Sequence, residues 1–170
     1  MKVESELEIF ERVNDRLSRI ERDMAKARKC RDQYDDCSDS WTRTLLEDSM
    51  GRSLQNIYCG IEGILHDFML EIDGTLPKSP RFHSDLLDRT TKPLSMRPAV
   101  MQDSIELREL MRFRHAFRNV YGEELEAGRL LEILDGVDKR VFPDLEAGLQ
   151  GMKEFLEGDH QIPGTNIPSP

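Results

Sequence analysis

The chain has 170 residues, of which 38% are hydrophobic, 34% charged and 6% aromatic, and its formal net charge is -9. That length fits one domain with a real core, and abundant Leu, Glu and Arg favour helices. The acidic balance excludes general nucleic-acid coating, which needs a basic field, and leaves room only for a local RNA site.

Other classes fall away as quickly. The N-terminus is acidic and amphipathic, so no signal peptide is expected, and no apolar run approaches a membrane span. Cys30, Cys37 and Cys59 are odd in number without metal-like spacing, and His66, His83, His115 and His160 are scattered. Reduced thiols in a cytoplasmic protein, with no metal and no cofactor, are therefore expected. There is no Gly-rich phosphate loop, no Ser-His-Asp order and no internal repeat.

Helix one is predicted from about Val3 to Gln33. Its apolar residues Val3, Leu7, Phe10, Val13, Leu17, Ile20, Met24 and Ala27 step by three and four, which makes a bundle seam. A polar stretch, Asp35 to Ser40, turns the chain, with Ser40 as the expected N-cap. Helix two follows from about Trp41 to Ile72, with Leu46, Met50, Leu54, Ile57, Ile61, Ile64, Phe68 and Ile72 inward and Trp41 in the core. Gly51, Gly60 and Gly63 inside it suggest close helix packing. Asp73-Gly74 stops it, Gly74 being suited to a left-handed C-terminal position.

A loop with Pro77, Lys78 and Pro80 leads to a short helix, about Phe82 to Arg89, which His83 is expected to cap or pack. Pro93 and Pro98 mark the next loop. Helix three spans about Gln102 to Tyr121, up to Gly122. Helix four runs from near Glu126 to about Leu156, with Leu130, Leu134, Val137, Val141, Leu145, Leu149 and Met152 inward and a kink expected at Pro143. Residues 1–158 thus form one domain, and the Pro-rich tail 159–170 reads as disordered. The predicted fold is all-α: an antiparallel four-helix bundle with a short extra helix in the crossover. Such bundles often dimerise through a helix pair.

Helix three carries the densest chemistry. Arg112-Phe113-Arg114-His115-Ala116-Phe117-Arg118-Asn119-Val120-Tyr121 gathers four cationic or imidazole side chains in an acidic protein. At roughly 100° per residue, Leu110, Phe113, Phe117 and Val120 form a core stripe. Arg114, Arg118 and Tyr121 make a row beside it, and Arg108, Arg112, His115 and Asn119 a row further out. Like charges at i, i+4 repel by a few tenths of a kcal/mol, so two such pairs on one helix suggest an anionic ligand. A solvated face relieved by Glu106 and Glu109 remains open on residue types alone. Glu62 reads as solvated or as partner to an Arg of helix three, and His66 as a surface histidine.

Three stretches together resemble a known family. They are Ile57-Tyr58-Cys59-Gly60-Ile61-Glu62-Gly63-Ile64-Leu65; Asp73-Gly74-Thr75-Leu76-Pro77-Lys78 followed by Phe82-His83-Ser84-Asp85-Leu86-Leu87; and Arg114-His115-Ala116-Phe117-Arg118-Asn119-Val120-Tyr121. In order and spacing they resemble HepT-like proteins of the HEPN superfamily, four-helix proteins many of which are ribonuclease toxins paired with a small nucleotidyltransferase antitoxin. The superfamily signature is an Arg, four to six residues, then a His, often with a polar residue after the Arg and a Tyr two after the His. Arg114, His115 and Tyr121 match; Asn119 stands where the His belongs.

The resemblance implies a homodimer that cleaves RNA without metal by attack of the ribose 2′-hydroxyl. Arg114 would hold the phosphate, His115 would replace the missing acid/base, and Asn119 would hydrogen-bond phosphate or ribose. Arg108, Arg112 and Arg118 would support, and Tyr121 is the residue on which a partner nucleotidyltransferase would place AMP. A second register, Arg108 to His115, satisfies the bare spacing and leaves Tyr121 unexplained. Since Asn cannot exchange a proton near neutral pH, the resemblance also allows a degenerate binder of RNA, nucleotide or protein partner; a purely structural dimerising bundle is the third class.

Overall fold

The computed structural model describes residues 2–119 and 126–158, with side chains described for 8–117 and 126–158. Val120, Gly122 and the tail 159–170 lie outside the described residues, as do the side chains of Val3 and Leu7. Helix α1 is Lys2–Asp36 and α2 is Ser40–Phe68. They form an antiparallel hairpin whose polar cross-links step outward from the turn: Tyr34 with Glu47, Asn56 with Asp23, Arg16 with Asp67, and Arg12 with Glu71. Inside that ladder, Val13, Ile20, Met24 and Ala27 of α1 are buried together with Leu54, Ile57, Ile61, Ile64 and Phe68 of α2. The step-three-and-four pattern is the cause, because it gathers apolar side chains on one stripe that must be removed from water.

The N-cap of α2 is Asp39, one residue before the expected Ser40. The Asp39 backbone is extended (φ -79°, ψ 121°), and its carboxylate accepts from the Thr42 N–H at 2.8 Å. Ser40 is already helical. Trp41 is 69% exposed and not in the core; it begins α2 beside the turn, at the very end of the hairpin. Gly60 and Gly63 behave as expected of close packing. A Cβ on Gly60 would sit 2.6 Å from the Ile20 side chain, and one on Gly63 would sit 2.4 Å from the Arg16 guanidinium.

At its C-terminal end α2 runs on through one wide π turn, Met69–Asp73, to Gly74 at φ 69°, the left-handed residue anticipated there. The short helix α3 is Phe82–Thr90 and α4 is Ile105–Asn119. The last long helix is α5, Ala127–Gly136, continued by a second π turn, Val137–Val141, into α6, Phe142–Glu157. Pro143 falls in the first turn of α6. Its ring would clash with the carbonyl four residues back in a regular helix, and the widened turn immediately before it takes up that conflict without ending the helix. Leu130, Leu134, Val137, Val141, Leu145, Leu149 and Met152 all point inward. The result is the expected all-α, HEPN-like four-helix bundle with α3 in the crossover.

The crossover has its own fastening. Arg97 is 2% exposed, and all five of its N–H donors are used. Nε and Nη2 donate to the Asp73 carboxylate at 2.7 and 2.9 Å, Nη1 to the Lys92 and Pro98 carbonyls, and Nη2 also to the Arg89 carbonyl. A small antiparallel bridge between Leu94 and Arg97 and a Val100 N–H bond to the Thr90 carbonyl complete the turn. This buried pair ties the end of α2 to the end of α3 and so fixes where α3 begins its cluster of polar side chains.

Candidate functional site

Ser104 stands just before helix α4, and its hydroxyl accepts the Leu107 N–H at 3.1 Å. Leu107 and Leu110 are buried, and Phe113 stacks on Phe117 at 5.4 Å between ring centroids. With that stripe facing the core, the cationic residues divide. Arg108 is held inside the chain by Asp103 at 2.8 Å and by Asp88 at 2.6 Å, and Asp103 foremost pushes its pKa upward. Arg112 is exposed and makes no ion pair among the described residues. Arg114 and His115 are half-buried and turn toward α2 and α3.

They meet His83. The second residue of α3, His83 places Nδ1 2.8 Å from Oε2 of Glu62 on α2. Its Nε2 lies 3.5 Å from Arg114 Nη1, and its ring packs edge-on against His115 with centroids 4.8 Å apart. Phe82 also meets it edge-on, at 5.5 Å between ring centroids. Three helices therefore deliver a carboxylate, two imidazoles and a guanidinium to one place. Arg114 and His115 are neighbours in sequence, about 100° apart around α4, and both reach His83.

Among the described residues the buried Arg114 Nε has no acceptor, and the Tyr58 hydroxyl lies against Glu62 without a well-aligned hydrogen bond. Tyr58 is fully buried on α2. Burial first, then the charge of Glu62, pushes its phenol well above the ordinary range, against the opposing pull of Arg114. Buried polar atoms are nearly always paired, so the open Arg114 Nε, one of few such atoms among the described residues, makes this cluster the candidate site. By contrast, an open groove of about 520 Å³ between α1 and α2 is lined by Arg16, Arg19, Arg22 and Lys26 but holds no imidazole, and Arg16 and Arg19 are committed to Asp67 and Asp15.

A family model described as HepT-like protein matches residues 49–156. The chain belongs to the HepT-like family. Comparison with curated proteins and with solved structures gives no significant match. The matched span contains Glu62, His83, Arg114 and His115, so the whole cluster belongs to the HepT-like part of the chain.

Of the residues singled out from the sequence, Arg114 and His115 are brought together in this HepT-like bundle. Arg108 faces Asp88 and Asp103 and lies apart from the cluster, while Arg112 is exposed and unpaired among the described residues. The side chains of Arg118 and Asn119 and the whole of Tyr121 lie outside the described residues. Sequence reasoning missed His83 as a member of the cluster, and Glu62, read as solvated or as partner to an Arg of helix three, pairs with His83. One signal was available: each of Glu62, His83 and Arg114 directly follows an apolar residue and has another within four positions, Ile61 and Ile64, Phe82 and Leu86, and Phe113 and Phe117. A titratable side chain in such a setting needs a partner. His66 is as expected, near the surface and 3.6 Å from Asp67. No helix among the described residues is long and apolar enough to cross a membrane.

Proposed function

We propose that this HepT-like protein is a metal-independent endoribonuclease of the toxin kind, working as a homodimer and restrained by a small nucleotidyltransferase partner. The observation that carries the reading is the convergence of Arg114, His115 and His83 from α4 and α3 onto one half-buried spot. A guanidinium offers the planar fork that fits a phosphodiester, and imidazoles exchange protons near neutral pH. Arg114 holds the scissile phosphate, His115 serves proton transfer, and Asn119 hydrogen-bonds phosphate or ribose. Tyr121 is the AMP acceptor by which the partner silences the protein.

A dimer would set two acidic subunits' α4 helices across one cleft, giving the local basic field that one subunit lacks. Arg112 and Arg118 would contact RNA phosphates; Arg108, already paired with two aspartates, is the weakest of the three for that role. Asn119 in place of the signature His favours a second reading, a degenerate binder in which the arginines grip RNA without cutting it.

Purified protein incubated with RNA in EDTA tests both. Cleavage with 2′,3′-cyclic phosphate ends is expected, along with a large loss in Arg114→Lys, since Lys keeps the charge but not the fork. RNA binding without cleavage at any pH selects the binder. Activity abolished by chelation and restored by magnesium defeats the mechanism.

A further inference from the structure

We infer that His83, held by Glu62, is the general base of this site, and that His115 is its general acid. The inference rests on the ribonuclease reading above and supplies the group that Asn119 cannot be. Its ground is the hydrogen-bond logic at both ends of one ring. Glu62 is a carboxylate and only accepts, so the proton of His83 sits on Nδ1, 2.8 Å from Oε2. Arg114 is a guanidinium and only donates, so the Nε2 facing its Nη1 at 3.5 Å must present a lone pair. The two partners together select the neutral ring with its basic nitrogen aimed at the phosphate-binding arginine.

A protonated His83 would set N–H against N–H there. Among the described residues, the titratable and charged groups that face the ring are Glu62 from α2 and Arg114 and His115 from α4, with Tyr58 beside Glu62 and Arg114. A histidine needed only to start α3 would have no use for a half-buried carboxylate on one nitrogen and an arginine on the other.

The step balances with these groups alone. His83 Nε2 takes the proton of the ribose 2′-hydroxyl as the 2′-oxygen forms a bond to phosphorus. The bond from phosphorus to the 5′-oxygen breaks, and His115 gives its proton to that leaving oxygen. Arg114 neutralises the charge gathered on the non-bridging oxygens. The products are a 2′,3′-cyclic phosphate and a 5′-hydroxyl; His83 is left protonated and His115 deprotonated, and exchange with water resets both. Glu62 is a positioning residue, since it touches only His83.

The test is a pH–rate profile of RNA cleavage in EDTA for wild type, His83→Gln, His115→Gln and Glu62→Gln, each first checked for helical content. A base must be unprotonated and an acid protonated to act. His83→Gln is therefore expected to lose ~10²–10⁴-fold in rate together with the acidic limb of the profile, whereas His115→Gln loses the basic limb. An RNA with a bridging 5′-sulfur, whose leaving group needs no proton, should restore His115→Gln and not His83→Gln. Added imidazole should restore His83→Gly, which a merely structural role would not permit. Glu62→Gln should lower kcat with KM held, and it serves where the His83 variants fail to fold. Wild-type cleavage that survives His83 substitution with its profile intact, or sulfur rescue of His83→Gln alone, overturns this assignment and leaves the ribonuclease reading standing. A wild type that never cleaves overturns both.

Discussion

Removing the Asp73 carboxylate tests whether the crossover is fastened as the geometry says. Asp73 and Arg97 have side chains 2% and 0% exposed, and Asp73 supplies two of the five acceptors around the guanidinium. In Asp73→Ala, two N–H groups and a full positive charge stay buried, with only backbone carbonyls for company. Breaking a buried pair from one side costs about 3–5 kcal/mol. In a domain of this size each kcal/mol moves Tm by roughly 2–4 °C, so a fall of about 6–20 °C is expected. Urea unfolding gives the free energy directly.

Asp73→Asn keeps the shape but turns an amide N–H toward the guanidinium, so most of that cost should remain. The double variant Asp73→Leu/Arg97→Met should lose clearly less than the two single variants added together, because neither partner is then stranded. Amide exchange should also rise across residues 82–90, since the pair holds α3. If Asp73→Asn costs under about 1 kcal/mol, water reaches Arg97 and the burial argument is wrong.

Further outcomes follow from single contacts. Gly148→Ala should cost about 2 kcal/mol or more, because its Cβ would lie 1.9 Å from the Val100 carbonyl oxygen, while Gly151→Ala on the same helix meets nothing within 4 Å and should gain up to ~1 kcal/mol; thermal melts that rank them otherwise contradict the packing. The Asp138 carboxyl is held below its ordinary value first by Arg28 and then by Arg31. Its contribution is therefore full above the ordinary carboxylate range near ~3.9 and is lost as pH falls through the depressed value. Arg28→Ala should flatten the acid side of the stability curve there, and an unchanged slope would reject the pair. Tyr58→Phe removes a buried hydroxyl that lies against Glu62 without a well-aligned hydrogen bond and should change stability by less than about 1 kcal/mol; a larger loss would mean that the phenol donates fully to Glu62 in solution.

The difference between what the sequence made legible and what it hid is one of range. The inward residues of the long helices follow from local spacing, since a stripe of Leu54, Ile57, Ile61 and Ile64 has one way to leave water. Gly74 was legible for the same local reason: a helix that must stop needs a left-handed residue, and glycine takes that shape without strain. Trp41 escaped because spacing fixes which side of a helix faces inward but not how far along its length a neighbour covers it. The site divides in the same way. Arg114 and His115 are adjacent and belong to a recognisable segment, whereas Glu62 and His83 are 21 positions apart and His83 and Arg114 are 31 apart.

No periodicity within one helix reports pairings at such distances. Composition does report the need for them, because Glu62 between Ile61 and Ile64, and Arg97 in a loop that buries it, are charges that cannot be left in an apolar setting alone. The two needs are met differently. Arg97 ends with every donor satisfied, which is the pattern of a structural fastening. The cluster around His83 ends with Arg114 Nε without an acceptor among the described residues. On the proposed reading, the open Arg114 Nε on α4 is a donor that a bound phosphate would complete, whereas the Arg97 guanidinium in the crossover has none left to offer.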